Sequence, residues 1–327
     1  MLLHILHETR YDYSPAVEDA QHLAHLRPLN EPNQKLLGHA LHISPSPAHQ
    51  RTLIDVYGNS RTYFSLHSHH AQLRVQADSV VQTQASTTPR LLASAPWEQV
   101  REQLRYRAGA PPQPASPFVF DSPGLAHHAE FAQFALPSFS PGRPIAEAAW
   151  DLMLRIARHM RYESLSTDVA TPALQALRQG KGVCQDFAHI LIACCRSLGL
   201  AARYVSGYLL TSPPPGQSRL IGGDASHAWA SVYCPLASQG PQAAPSGFWL
   251  ELDPTNARQP GADYVTLARG RDFLDVSPLR GVIHGGARHV LSVAVTVREI
   301  ALHEAGLVPA PQAIDLKGLG IHGQPQV

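Results

Sequence analysis

The chain has 327 residues, 44% of them hydrophobic and 16% charged, with a formal net charge of +1. This is the balance of an ordinary globule long enough for two domains, and it gives no electrostatic reason to expect nucleic acid or an acidic membrane surface as partner. The four cysteines exclude a disulfide framework, because Cys194 and Cys195 are adjacent on a predicted helix and no zinc-type spacing occurs. Only a short apolar run precedes His7, Glu8 and Arg10, and no stretch approaches the length of a membrane span. A reducing cytoplasm is therefore the expected location.

Residues 1–84 read as a β-rich domain. Leu2–Arg10, His39–Ile43, Thr52–Val56, Arg61–Leu66 and Gln72–Val80 alternate or carry β-branched and aromatic residues, with Pro, Asn and Gly at the breaks. Tyr57-Gly58-Asn59 reads as a hairpin turn. Residues 85–143 form a connector in which Pro111, Pro112, Pro114, Pro117, Pro123, Pro137 and Pro141 exclude long regular elements. One helix is expected there, around Trp97–Tyr106.

A core domain is expected over residues 144–297. Pro144 suits the first position of a helix, and Ile145, Ala148, Ala149, Leu152, Ile156 and Met160 give it one apolar face. A second helix begins at Cys184, with Ile190, Leu191, Cys194 and Leu198 at helical spacing and Gly199 as its stop. Ala202–Leu210 reads as a strand with Gly207 as a bulge, and Pro213-Pro214-Pro215-Gly216 as a loop bordering the site. β-like runs over Ser226–Cys234 and Phe248–Asn256 are joined by a loop rich in Pro, Gly, Ser and Ala. Val290–Val297 is the last strand, and 298–327 is a tail.

Three residues on these elements carry matching chemistry. Cys184 falls in the first turn of its helix, where free backbone N–H groups and the helix dipole favour a thiolate. Pairing the two strands antiparallel, with Tyr233 opposite Gly247, sets Ser231 against Trp249 and His227 against Asp253. His227 then accepts the thiol proton and returns one to a leaving amine, while Asp253 holds the imidazole in one tautomer. The Cys184 N–H is an oxyanion donor, and Tyr162 is a candidate for the second. Trp229 and Trp249 share the face of this pair and shield it, or simply fill the core. Nineteen histidines occur, in pairs such as His22/His25 and His69/His70, but none combines with carboxylates or cysteines in a zinc pattern.

The runs Gly182-Val183-Cys184-Gln185-Asp186-Phe187-Ala188, Asp224-Ala225-Ser226-His227-Ala228-Trp229 and Leu252-Asp253-Pro254-Thr255-Asn256 closely resemble the bacterial form of the transglutaminase-like superfamily. The run Gly270-Arg271-Asp272-Phe273-Leu274-Asp275-Val276-Ser277-Pro278-Leu279-Arg280-Gly281 is similar to the family's segment after the catalytic Asp. His7-Glu8-Thr9-Arg10-Tyr11-Asp12-Tyr13 and Asp55-Val56-Tyr57-Gly58-Asn59 are similar to its N-terminal accessory domain. The resemblance covers most of residues 1–297 and rests on separated signatures in order. It implies an α+β, papain-like core with Cys184 at a helix start and His227 and Asp253 on adjacent antiparallel strands, preceded by a β-rich domain. It also implies a cysteine-dependent acyl-transfer enzyme acting on peptide or amide carbonyls, without a cofactor, since no acidic calcium loop is visible. Hydrolysis by a peptidase or amidase is the preferred outcome; a protein-glutamine transglutaminase and a non-catalytic peptide-binding module are the alternatives. Bacterial relatives are often associated with ATP-grasp-type peptide ligases, which the resemblance carries over as an expected partner.

Overall fold

The computed structural model describes residues 1–85, 93–109, 113–164, 166–167, 170–211, 226–237 and 247–309. The loop at Pro213–Gly216, Asp224 and Ala225 of the histidine signature, Pro111 and Pro112, and the tail from 310 onward lie outside the described residues. The protein has two lobes, each built on one antiparallel sheet.

The N-terminal lobe is organised around β1 (Leu2–Ala24), a 23-residue strand in which Leu3, Ile5, His7 and Thr9 are buried on one face. The period of two makes that face core. Its first half pairs with β5 (His70–Thr83) and its second with β4 (Ser60–Leu66), with a register shift between Asp12 and Val17. Outside these lie β2 (Gln34–Ser44), on β5, and β3 (His49–Ile54), on β4. The predicted turn joins β3 to β4: Gly58 has φ +83°, and Asp55 Oδ1 accepts the N–H groups of Tyr57 and Asn59 at 2.9 Å each.

The other edge of β1 is taken by strands from the far end of the sequence. β12 (Leu279–Gly285) pairs with Val17–Ala24, and β13 (Arg288–Glu299) with Leu3–Ser14. Residues up to 297 were expected in the core domain and 298–299 in the tail, whereas β12 and β13 both join the sheet of the N-terminal lobe. Alternation in Val290–Val297 identifies a strand but does not identify its sheet, and its partner is almost the whole chain away.

The second lobe contains a sheet in the order β10 (Gly247–Leu252), β9 (Ser226–Pro235), β8 (Ala202–Leu209), β11 (Tyr264–Gly270). On β8 and β9 packs α5 (Cys184–Ser197), itself flanked by α2 (Ala129–Ala135), α3 (Ile145–His159) and α4 (Ala173–Gln179). Every residue of α5 from Asp186 to Arg196 is buried, so it is the axis of the lobe rather than a one-faced surface helix. Gly199, at φ +76°, follows its C-cap as expected. Pro144 is the N-cap of α3, one residue outside the predicted position.

The connector is part of this lobe. Trp97, Val100 and Leu104 of α1 (Trp97–Leu104), with Phe118, Phe131 and Phe139, share one apolar core with α3, α5 and the sheet. The anchor is Arg196, only 2% exposed, which donates to the carbonyls of Phe118 (3.0 Å), Ala202 (2.9 Å) and Arg271 (2.6 Å) and to Ser122 Oγ (3.1 Å). Burial lowers its pKa to about 10, with the Asp272 carboxylate opposing the shift. Arg196→Ala strands these acceptors and leaves a void, so a loss of at least about 3 kcal/mol is expected in guanidinium unfolding.

The lobes share core as well. Leu3, Ile5, Leu36, Val81, Val295 and Val297 pack into the same apolar cluster as the second lobe, and His7 Nδ1 shares a 2.8 Å hydrogen bond with the Tyr208 hydroxyl. At the free edge of β11, side-chain amides replace a neighbouring strand. Gln34 Nε2 donates to the Thr266 carbonyl (2.9 Å) and its Oε1 accepts the Thr266 N–H (2.7 Å). Asn59 makes the same two bonds to Arg269, each 2.7 Å. The bulge expected on β8 at Gly207 is absent there; the register shift falls on the neighbouring β11, where Leu267 is the extra residue. A Cβ on Gly207 would come within 2.1 Å of the Val265 carbonyl oxygen, so glycine is needed there for close strand approach. Among the described residues no helix is long and apolar enough to cross a membrane.

Candidate active site

The chain enters α5 through three constrained residues. Gly180 ends α4 in the left-handed region at φ +64°. β7 (Lys181–Gly182) then pairs in parallel with β6 (Arg161–Tyr162), and Val183 caps α5 in an extended conformation. Asp186, at the third helical position, turns back to accept the Val183 N–H at 2.7 Å and the Thr167 hydroxyl at 2.6 Å. That bond occupies a free donor of the first turn and fixes the direction in which Cys184 leaves it. A Cβ on Gly182 would lie 2.6 Å from Asp186 Oδ2, which is the steric reason for glycine just before α5.

Cys184 is partly accessible, whereas Cys194, Cys195 and Cys234 are buried, and all four are free. Burial pushes the Cys195 thiol up to about 12 and raises those of Cys194 and Cys234 well above the ordinary value.

The β9–β10 register is offset by two residues from the expected one: Gly247 lies opposite Pro235, Trp249 opposite Tyr233 and Glu251 opposite Ser231. An even slip keeps every side chain on its face, so His227 and Asp253 still converge, diagonally rather than directly opposite. His227 Nε2 donates to Asp253 Oδ2 at 2.7 Å. The Cys184 thiol acts on the same imidazole, as its upward effect on the His227 pKa shows. Burial by itself lowers the imidazole pKa; the bonds and charges of Asp253 and Cys184 outweigh it and raise the value to about 9. Burial likewise opposes ionisation of Asp253, but His227, Asn256 and Tyr264 hold its carboxyl below the ordinary range.

Asp253 is held from both oxygens. Oδ1 accepts the backbone N–H groups of Thr255 (2.9 Å) and Asn256 (3.3 Å); Oδ2 accepts from Asn256 Nδ2 and from the Tyr264 hydroxyl, both at 2.7 Å. Sequence reasoning missed Asn256 and Tyr264 as members of the site. Asn256 was in view, within the Asp-Pro-Thr-Asn turn; Tyr264, eleven positions past Asp253, carries no local pattern. Tyr162 lies on β6 beside Gly182, half exposed, and its hydroxyl has no hydrogen-bond partner among the described residues. Trp229 is fully buried with its ring 6.1 Å from His227, whereas Trp249 lies farther along, under the Arg203 guanidinium at 4.0 Å. No group of three or more His, Cys, Asp or Glu suited to a metal ion occurs among the described residues.

A thiol at the start of a central helix, facing a strand-borne imidazole that a carboxylate holds, on an α+β core, defines the papain-like class of folds. The chain belongs to the transglutaminase-like superfamily: residues 133–254 match that superfamily, and residues 3–82 match the bacterial transglutaminase-like N-terminal region. An uncharacterized protein of Mycobacterium bovis is 41% identical over 295 residues, which cover 90% of this chain and 91% of the relative. One of Mycobacterium leprae is 29% identical over 301 residues, covering 91% and 99%. The crystal structure of a Cytophaga hutchinsonii protein provisionally described as a cysteine protease has a TM-score of 0.65 at 19% identity and spans 97% of this chain and 95% of that one. That likeness extends over both lobes and concerns the fold.

Proposed function

We propose that the protein is a cysteine-dependent acyl-transfer enzyme that cleaves peptide or amide bonds through a thioester on Cys184, with water as the acceptor. The observation that carries this reading is the 2.7 Å hydrogen bond from His227 to Asp253, on an imidazole whose pKa the partly accessible Cys184 thiol also raises. Cys184 sulfur, its proton passed to His227 Nδ1, attacks the carbonyl carbon and forms a tetrahedral oxyanion facing the Cys184 N–H, with the Tyr162 hydroxyl as the second donor. As the C–N bond breaks, His227 gives its proton to the leaving amine. The imidazole then takes a proton from water, whose oxygen displaces the thiolate and releases the acid. The Cytophaga hutchinsonii neighbour's description as a protease favours water over an amine, and the four free thiols suit a reducing compartment such as the cytoplasm.

The alternative acceptor, a primary amine, makes the same constellation a transglutaminase. Incubation with a glutamine-rich acceptor and a labelled amine separates the two. Peptide or amide hydrolysis with little incorporation is expected, and strong incorporation that disappears in Cys184→Ala would overturn the choice of water.

A further inference from the structure

We propose that Tyr264 is a positioning residue for the Asp253–His227 pair, and that the N-terminal lobe sets its place by gripping β11. The inference rests on the reading of Cys184 and His227 as a working pair.

Asp253 Oδ2 takes three donors, from His227, Asn256 and Tyr264, each at 2.7 Å. A carboxylate oxygen has two lone pairs, so three donors divide its charge and each bond is weaker than it would be with fewer competitors. The Tyr264 hydroxyl thus limits how strongly Asp253 holds the imidazolium. Its ring stands 5.8 Å from that of His227 and 5.4 Å from that of Trp229, and its other side carries the Arg258 guanidinium at 4.6 Å, which is paired to Asp263. The charged and titratable groups facing His227 among the described residues are Cys184 from α5, Asp253 from the end of β10, and Tyr264 from β11. Burial first, and then the Asp253 carboxylate, raise the phenol pKa, so Tyr264 stays a donor throughout the working range.

Three side chains of the N-terminal lobe hold the backbone on both sides of Tyr264. Before it, the Thr83 hydroxyl donates to the Ala262 carbonyl; after it, Gln34 pairs with Thr266 and Asn59 with Arg269. Bulged edge strands twist readily, and β11 is bulged at Leu267, so these grips fix where the tyrosine points. This gives the N-terminal lobe a role in the chemistry through β11.

The test reads the rate of iodoacetamide alkylation of Cys184 against pH by mass spectrometry, where the alkaline inflection reports loss of the His227 proton. Tyr264→Phe is expected to move that inflection to higher pH by about 0.5–1 unit, because the freed lone pair strengthens the bond to the imidazolium. A residue that merely fills space would leave the inflection in place or lower it as the pair loosens, and either result overturns the inference. Replacing Tyr264 with 3,5-difluorotyrosine, nearly the same shape but a stronger donor, must move the inflection the other way. That variant keeps the test decisive if the phenylalanine protein fails to fold. Gln34→Ala leaves the pair and Tyr264 intact and is expected to displace the inflection; an unmoved inflection overturns the part assigned to the lobe. If His227→Ala retains the wild-type inflection, the underlying reading of the pair falls too. If His227→Ala abolishes it while both Tyr264 variants leave it unmoved, only this inference falls.

Discussion

His227→Ala is expected to slow Cys184-dependent turnover by about 10³–10⁴-fold, because the thiol loses its proton acceptor and the leaving amine its proton donor together. Asp253→Asn should lose about 10²–10⁴-fold and also change the pH dependence, which a simple loss of packing would not. In the native protein His227 titrates at about 9, since Asp253 and Cys184 outweigh the effect of burial. Without the carboxylate charge, burial dominates and the alkaline inflection of Cys184 alkylation moves down by more than a unit. The same shift contributes to stability, and its sign is fixed. A histidine whose folded pKa is raised stabilises fully below its unfolded value near 6.5, and that contribution fades as pH rises through about 9. Alkylation profiles of wild type, His227→Ala and Asp253→Asn check the first claim. Equal reactivity of Cys184 and the three buried thiols would show that the pair is not assembled.

On the acid side the protein is expected to unfold near pH 5. His7, His22, His39 and His189 are each lowered to about 4, chiefly by burial. Both ring nitrogens of His22 lack a hydrogen-bond partner among the described residues, so no acceptor there rewards its protonation. For groups with depressed folded values, the unfolded chain binds protons first, and stability falls as pH drops from about 6.5 towards 4. At pH 5, about 1.5 units below the unfolded value, four such histidines cost on the order of 8 kcal/mol together. That is comparable with the whole stability of a typical domain. Guanidinium unfolding followed from pH 7.5 to 5 should show a steep decline in midpoint, and His22→Leu should flatten it. A constant midpoint over that range would contradict the burial of these rings.

Much of the site was legible because its determinants are local. Apolar residues at helical spacing with Gly199 as a stop announce the helix that Cys184 begins, and period-two alternation put His227 and Asp253 on one face. The register was not local: the loop after β9 does not set it, and only the parity of the slip kept the pair together. The sheet to which β12 and β13 belong was illegible for a different reason, because alternation marks a strand without naming its neighbour. Tyr264 was hidden because a buried strand tyrosine reads as core until the oxygen it faces is known. Gly207 was recognised as exceptional, but close approach to β11, not a bulge, makes it so.

The return of β12 and β13 to β1 has a consequence for the order in which the protein comes into being. β1 leaves the ribosome well before β12 and β13, yet one of its edges is filled by residues 279–299. At common elongation rates that edge waits on the order of tens of seconds, exposed to other chains, while α5 is made and packed. The earlier-made strand is thus completed by the later ones, and because β11 is gripped by the lobe that this completion finishes, a nascent chain carries its Cys184 thiol long before β11 is held beside His227 and Asp253.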